Sequence, residues 1–226
     1  TLYNLVDTYF AGKISPEALA AIAQTFPVYF IIIALGVGIS IGTTSLIANS
    51  IGENNENKAS LYLAQSILIG IIVAIAVTII GIQIAPYVIS LMNTNDATLS
   101  LSLQYLNIIF LGCIFFFIQI TLNSSLTAQG DTKSNRNVLI FSFFLNIILN
   151  PLFIFGYGFI PAMGIKGIAL ATITAQFIGM SYIIFKVYLT NLRKYLYLES
   201  FFPKLNFIKN LLSQGIPAAI GMMMIS

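Results

Sequence analysis

The chain contains no histidine, no tryptophan and one cysteine, and its 226 residues include only ten basic and seven acidic side chains. Each shortage removes a class of function. Without histidine there is neither a Ser-His-Asp triad nor a His-ligated zinc site. Cys113 stands alone in an apolar run, which excludes a disulfide framework or a Cys-rich metal centre and leaves the redox compartment open. No P-loop is present, and so few ionisable groups lie inside the apolar runs that an enzyme is not expected. The net charge of +3 is spread over separate loops, with no basic stripe and no aromatic interleaving, which argues against a nucleic-acid partner.

What is there is apolar: 58% of the residues are hydrophobic and 8% are charged. That balance specifies an all-α integral membrane protein whose partner is the lipid bilayer. In a bilayer each span uses about 20 apolar residues, so the useful unit of length is the span. Residues 1–11 read as the tail of a first helix, closed by Gly12 and a short Lys13-Ile14-Ser15-Pro16 turn. Between Glu17 and Glu53 no charge occurs for about 35 residues, roughly 50 Å at helical rise, so that helix must tilt or protrude. Further charge-free stretches run over 59–95, interrupted late by Pro86, and over 97–130.

The turn Asp131-Thr132-Lys133-Ser134-Asn135-Arg136 precedes a span at 137–155, and a Gly- and Pro-containing loop at 156–164 leads to the last full span at 165–189. Residues 190–203 read as a linker, and another helix begins at about Lys204. The chain starts without Met and stops inside an apolar run, so it reads as an internal fragment. No positively charged n-region or small-residue cleavage site is visible.

Short cytoplasmic loops carry an excess of Lys and Arg. Lys58, Lys133, Arg136, Lys186, Arg193, Lys194, Lys204 and Lys209 fall at one end of these spans, and only Lys13 and Lys166 at the other. The asymmetry supports the span count and places the 190–203 linker in the cytoplasm.

Asp7 is the residue such a chain must account for. A carboxylate near the centre of a membrane helix costs about 2.5–3.5 kcal/mol on an insertion scale. It lies close enough to the first loop to snorkel outward, and the residues alone leave a snorkelling and a buried reading equally open. In Asn146-Ile147-Ile148-Leu149-Asn150-Pro151 the two amides, four apart, share one helix face, and Pro151 breaks the helix by leaving the Ile147 carbonyl unpaired. This polar notch is either interhelical glue or part of a site. Thr172 could offer a hydroxyl to a cavity or bond back to its own turn. Gln24, Ser40, Thr43, Thr44 and Asn49 either line a water path or join helices, and Gly36, Gly38 and Gly42 read as a close-packing face.

Taken together, Leu5-Val6-Asp7-Thr8 with Gly12, Ala128-Gln129-Gly130-Asp131-Thr132-Lys133, Asn146–Pro151 with Phe155-Gly156, Gly164-Ile165-Lys166-Gly167 through Thr172, and Gly215-Ile216-Pro217 resemble the multidrug and toxic compound extrusion (MATE) family. The resemblance covers nearly the whole chain. It implies a six-helix amino-terminal transporter lobe with a truncated first helix at 1–189, a cytoplasmic inter-lobe linker at 190–203, and the start of the carboxy-terminal lobe, its seventh helix, at 204–226. The rest of that second lobe is the missing partner.

The function implied is antiport in the plasma membrane: export of cationic or amphipathic organic compounds in exchange for H⁺ or Na⁺, with no other cofactor. Asp7 matches the family's coupling carboxylate, Asn146 a fifth-helix polar partner, and Thr172 the sixth-helix hydroxyl. Some members carry a second acid where this chain has Asn150. Sodium can be held through oxygens of Asp7, Asn146, Asn150 and Thr172, and a proton is equally open because desolvation favours the neutral form of a carboxyl group. A lipid-linked-sugar flippase of the same superfamily and a membrane channel or scaffold are the alternatives. The flippase is disfavoured because Lys and Arg fall in loops rather than spans.

Overall fold

A computed structural model describes residues 2–92 and 95–225. Thr1 and Ser226, the outer ends of the expected first and last segments, lie outside it, as do Asn93 and Thr94. Seven α-helices follow in order: α1 (Leu2–Ile14), α2 (Pro16–Gly52), α3 (Glu56–Ser90), α4 (Asp96–Ala128), α5 (Lys133–Phe155), α6 (Ile165–Tyr188) and α7 (Leu205–Ile225). No strand occurs among the described residues. Helices α2 to α6 are long and apolar enough to cross a membrane. At 37 residues α2 is about 55 Å long, more than a hydrocarbon core of about 30 Å.

The helix boundaries follow from local chemistry. Helix α1 runs through Gly12 to Ile14 rather than closing at the glycine. The stop comes at Ser15, whose extended backbone lets its hydroxyl accept from the Ala18 N–H at 3.1 Å, with Pro16 pre-shaped for the first turn of α2. Asn55 and Asn95 cap α3 and α4 in the same way, accepting from Lys58 and Thr98. Helix α5 begins at Lys133, a turn earlier than its apolar pattern suggests, because Asp131 accepts from both the Ser134 hydroxyl and the Ser134 N–H. Those bonds hold the Asp131 carboxyl below its ordinary value of 3.8. The cap's contribution is therefore complete above that value and is lost as the pH falls through the lowered one.

Helix α4 is the hub, packed against α2, α3 and α6, while α5 lies mainly on α6. Apolar side chains such as Ile72, Ile79, Leu111, Phe144 and Ile148 point outward, as a lipid-facing surface requires. Ser124 of α4 returns its hydrogen to the Ile120 carbonyl and its oxygen lies 2.7 Å from the Ser40 hydroxyl of α2, which can donate to it, and Thr44 reaches the Ser124 carbonyl, so this part of the α2 polar set joins helices. Gln24 Oε1 and Thr43 Oγ1 are buried without a partner among the described residues, and Asn49 is exposed.

Two features attach the last helix. Gly38 and Gly42 of α2 face α7 so closely that a Cβ on Gly38 would stand 2.6 Å from the Gly215 carbonyl oxygen, and one on Gly215 2.9 Å from that of Gly38. Side chains here would force the backbones apart. The segment before α7 is no free tether: it forms short 3-10 turns at Asn191–Tyr195 and Leu198–Phe201. Buried Gln65 of α3 donates to the carbonyls of Ser200 and Phe202 at 2.6 and 2.9 Å and accepts from the Lys204 N–H at 2.9 Å. Ser60 adds a bond to the Leu192 carbonyl.

Candidate functional site

Asp7 is only 1% exposed, which overturns the snorkelling reading. On α1, Val6, Asp7 and Ala11 face the bundle while Leu5 and Tyr9 face outward, so the carboxylate is carried to the interior by the same face that packs. Three helices then meet it. Thr172 Oγ1 of α6 donates to Asp7 Oδ2 at 2.9 Å, Tyr105 OH of α4 donates to the same oxygen at 3.3 Å, and Asn150 Nδ2 of α5 donates to Oδ1 at 3.2 Å.

A second layer of bonds fixes the donors. Asn146 Nδ2 donates to Thr172 Oγ1 at 3.2 Å, which leaves the threonine hydrogen free to point at Asp7. Asn150 Nδ2 lies 2.9 Å from Asn146 Oδ1 and 3.1 Å from the Asn146 carbonyl oxygen. Its two hydrogens thus serve three acceptors, whereas Asn150 Oδ1 is buried with no partner among the described residues. The cluster is one carboxylate, neutral donors and one unsatisfied oxygen.

All four residues singled out in the sequence, Asp7, Asn146, Asn150 and Thr172, are brought together, each at most 1% exposed. One open choice is decided and one local reading needs correction. Thr172 spends its hydroxyl on Asp7 instead of on its own turn. Pro151 does not break the helix: α5 continues through it to Phe155. A proline removes one backbone bond, and packing against α6 keeps the turn in register, as neighbouring helices do in membranes. The carbonyl that the notch engages is that of Asn146, not the Ile147 group freed by the proline. Tyr105 was not legible as a member, because a lone tyrosine in a span usually means an interfacial ring or a core filler.

Among the described residues no three His, Cys, Asp or Glu side chains come together, so a carboxylate-rich divalent site is not built here. One negative charge among neutral hard oxygens suits a monovalent cation or a proton.

The MatE family model matches residues 1–152 of this arrangement. The chain belongs to the MATE family. It is 31% identical to a probable multidrug resistance protein NorM of Thermotoga maritima across 97% of its own length and 47% of that protein's. It is also 31% identical to an FAD transporter of Shewanella oneidensis, over 79% of its length and 40% of the other's. The solved inward-facing structure of a multidrug resistance MATE family transporter superposes with a TM-score of 0.90 at 27% identity, over 99% of this chain and 50% of that one. The chain thus spans about half the length of the relatives it matches. With its membrane-length helices, this MATE protein is a multi-pass protein of the plasma membrane.

Proposed function

We propose that the chain is the amino-terminal half of a secondary antiporter that exports cationic or amphipathic organic compounds in exchange for H⁺ or Na⁺ by alternating access. In this reading residues 1–189 form the first lobe, 190–203 the cytoplasmic inter-lobe linker, and 204–226 the start of the second lobe. The observation that carries the proposal is the buried Asp7 carboxylate, bonded from α4, α5 and α6 beside the unpartnered Asn150 oxygen.

Asp7 alternates between a charged state and an ion-loaded state. A proton converts one of its oxygens from acceptor to donor, and Asn150 Oδ1 is the acceptor without a partner in the same cluster. A sodium ion instead takes oxygens from Asp7, Asn146, Asn150 and Thr172, the ligand class that transporters use for it. In either case the bonds that tie α1 to α4, α5 and α6 are rearranged, and loading biases the lobe only by its different affinity for the two states. The likeness to an FAD transporter supports a second class of cargo, an anionic dinucleotide, on the same coupling machinery.

The test is ion-driven export by the full-length protein in vesicles. Asp7→Asn is expected to cut the gradient-driven rate at least tenfold, and undiminished export would remove the coupling role. Offering an organic cation and FAD in parallel separates the cargo classes. Varying Na⁺ at fixed pH, and pH at fixed Na⁺, identifies the ion.

A further inference from the structure

Helix α5 turns a polar face inward and an apolar one outward. Ser134, Val138, Ser142, Asn146, Asn150 and Ile154 succeed one another on it at four-residue steps, while Phe141, Phe144 and Ile148 are exposed. Asn146 and Asn150 belong to the Asp7 cluster. Ser142, one turn nearer the basic end of the bundle, is 0% exposed and its Oγ has no partner among the described residues. Elsewhere in this molecule Ser50, Ser102, Thr121, Ser124 and Thr127 each return the hydroxyl to a carbonyl one turn back, the usual outcome in an apolar helix.

Two other polar side chains lie within about one turn of this level. The Asn146–Thr172 bond sets the level of α5 against α6, and one turn further along both helices Ser142 and the buried Gln176 stand at a common level. Gln119 of α4 reaches in from the third side, through the space that Gly179 leaves. A Cβ on Gly179 would stand 3.1 Å from Gln119 Oε1 and 3.1 Å from Val138 Cγ1. Gln119 Oε1 is likewise buried and unpartnered. Alongside it, Val138 belongs with Leu122, Ile183 and Val187 to one apolar cluster, a collar between Ser142 and the Asp131 turn.

We propose that Gln119, Ser142 and Gln176 form a second, transient site for the coupling ion between the Asp7 cluster and the basic end of the lobe. It is an oxygen-only relay for a partly hydrated monovalent cation, either Na⁺ or a proton carried on water. The proposal rests on Asp7 as the coupling carboxylate. Asp7 holds the ion, the relay exchanges it with solution at the basic end, and the collar at Val138 limits hydration of the passage. Unpaired buried oxygens are costly in lipid surroundings, and Asn150 Oδ1, Ser142 Oγ and Gln119 Oε1 are three such oxygens in this lobe.

In the full-length protein in vesicles, Ser142→Ala and Gln119→Leu are expected to raise the ion concentration for half-maximal export about tenfold while leaving cargo affinity unchanged. Na⁺ and pH series distinguish the two ions. An unchanged ion dependence in both variants, alongside loss of coupling in Asp7→Asn, overturns the relay and spares Asp7; normal coupling in Asp7→Asn overturns both. A second readout uses Ser142→Cys in a background with every native cysteine replaced. A small cationic thiol reagent added at the basic end is expected to label it, about tenfold faster when Val138→Ala is also present. Absence of labelling in protein that still transports overturns the relay.

Discussion

Thr172 both donates to Asp7 and accepts from Asn146, so its hydroxyl couples the carboxylate to the amide pair. Thr172→Val keeps the shape and loses both bonds. A hydrogen bond to a charged group is worth about 1.5–3 kcal/mol, so the ion concentration for half-maximal export is expected to shift tenfold or more, with Thr172→Ser close to the parent. Tyr105→Phe removes one longer bond of 3.3 Å, and a shift of about fivefold at most is expected. Equal effects of the two substitutions would contradict the hierarchy of bonds described here. The amides were legible in the sequence because a four-residue spacing fixes a shared helix face whatever lies opposite. Tyr105 was not, because its partner is 98 residues away and no local period links them.

Among the elements, α3 controls the segment that leads to α7. Gln65 answers three backbone groups of that segment with one side chain, and Gln65→Leu would leave two carbonyls and the Lys204 N–H unpaired. A loss of about 1–3 kcal/mol is expected, read as a lower melting temperature in detergent together with faster proteolysis within residues 190–203. Unaltered cleavage would show the clamp to be dispensable. The sequence announced this stretch as a linker through its charges, yet its anchoring was invisible, since Gln65 lies 135 residues from Ser200. Pro151 teaches the complementary lesson. Counting backbone bonds along α5 predicts a break, whereas the support from α6 is a tertiary property that no window on α5 contains.

At the scale of the whole molecule, composition alone specified a helical membrane protein, and charge-free stretches located its spans to within a turn or so. Orientation is the remaining global quantity, and the excess of Lys and Arg predicts it. In intact cells making the full-length protein without native cysteines, Phe159→Cys, at a fully exposed position in the loop between α5 and α6, is expected to react with a membrane-impermeant thiol reagent. Lys194→Cys is expected to react only after permeabilisation, and the opposite pattern would invert the topology. The seating of α7 on α2 escaped the sequence reading, which took Gly38 and Gly42 as a packing face without a named partner. That glycine seam has a consequence for biosynthesis. Because Gly38 and Gly215 meet backbone to backbone, α7 has a docking place on α2 as soon as it emerges, so a nascent chain can seat α7 during synthesis.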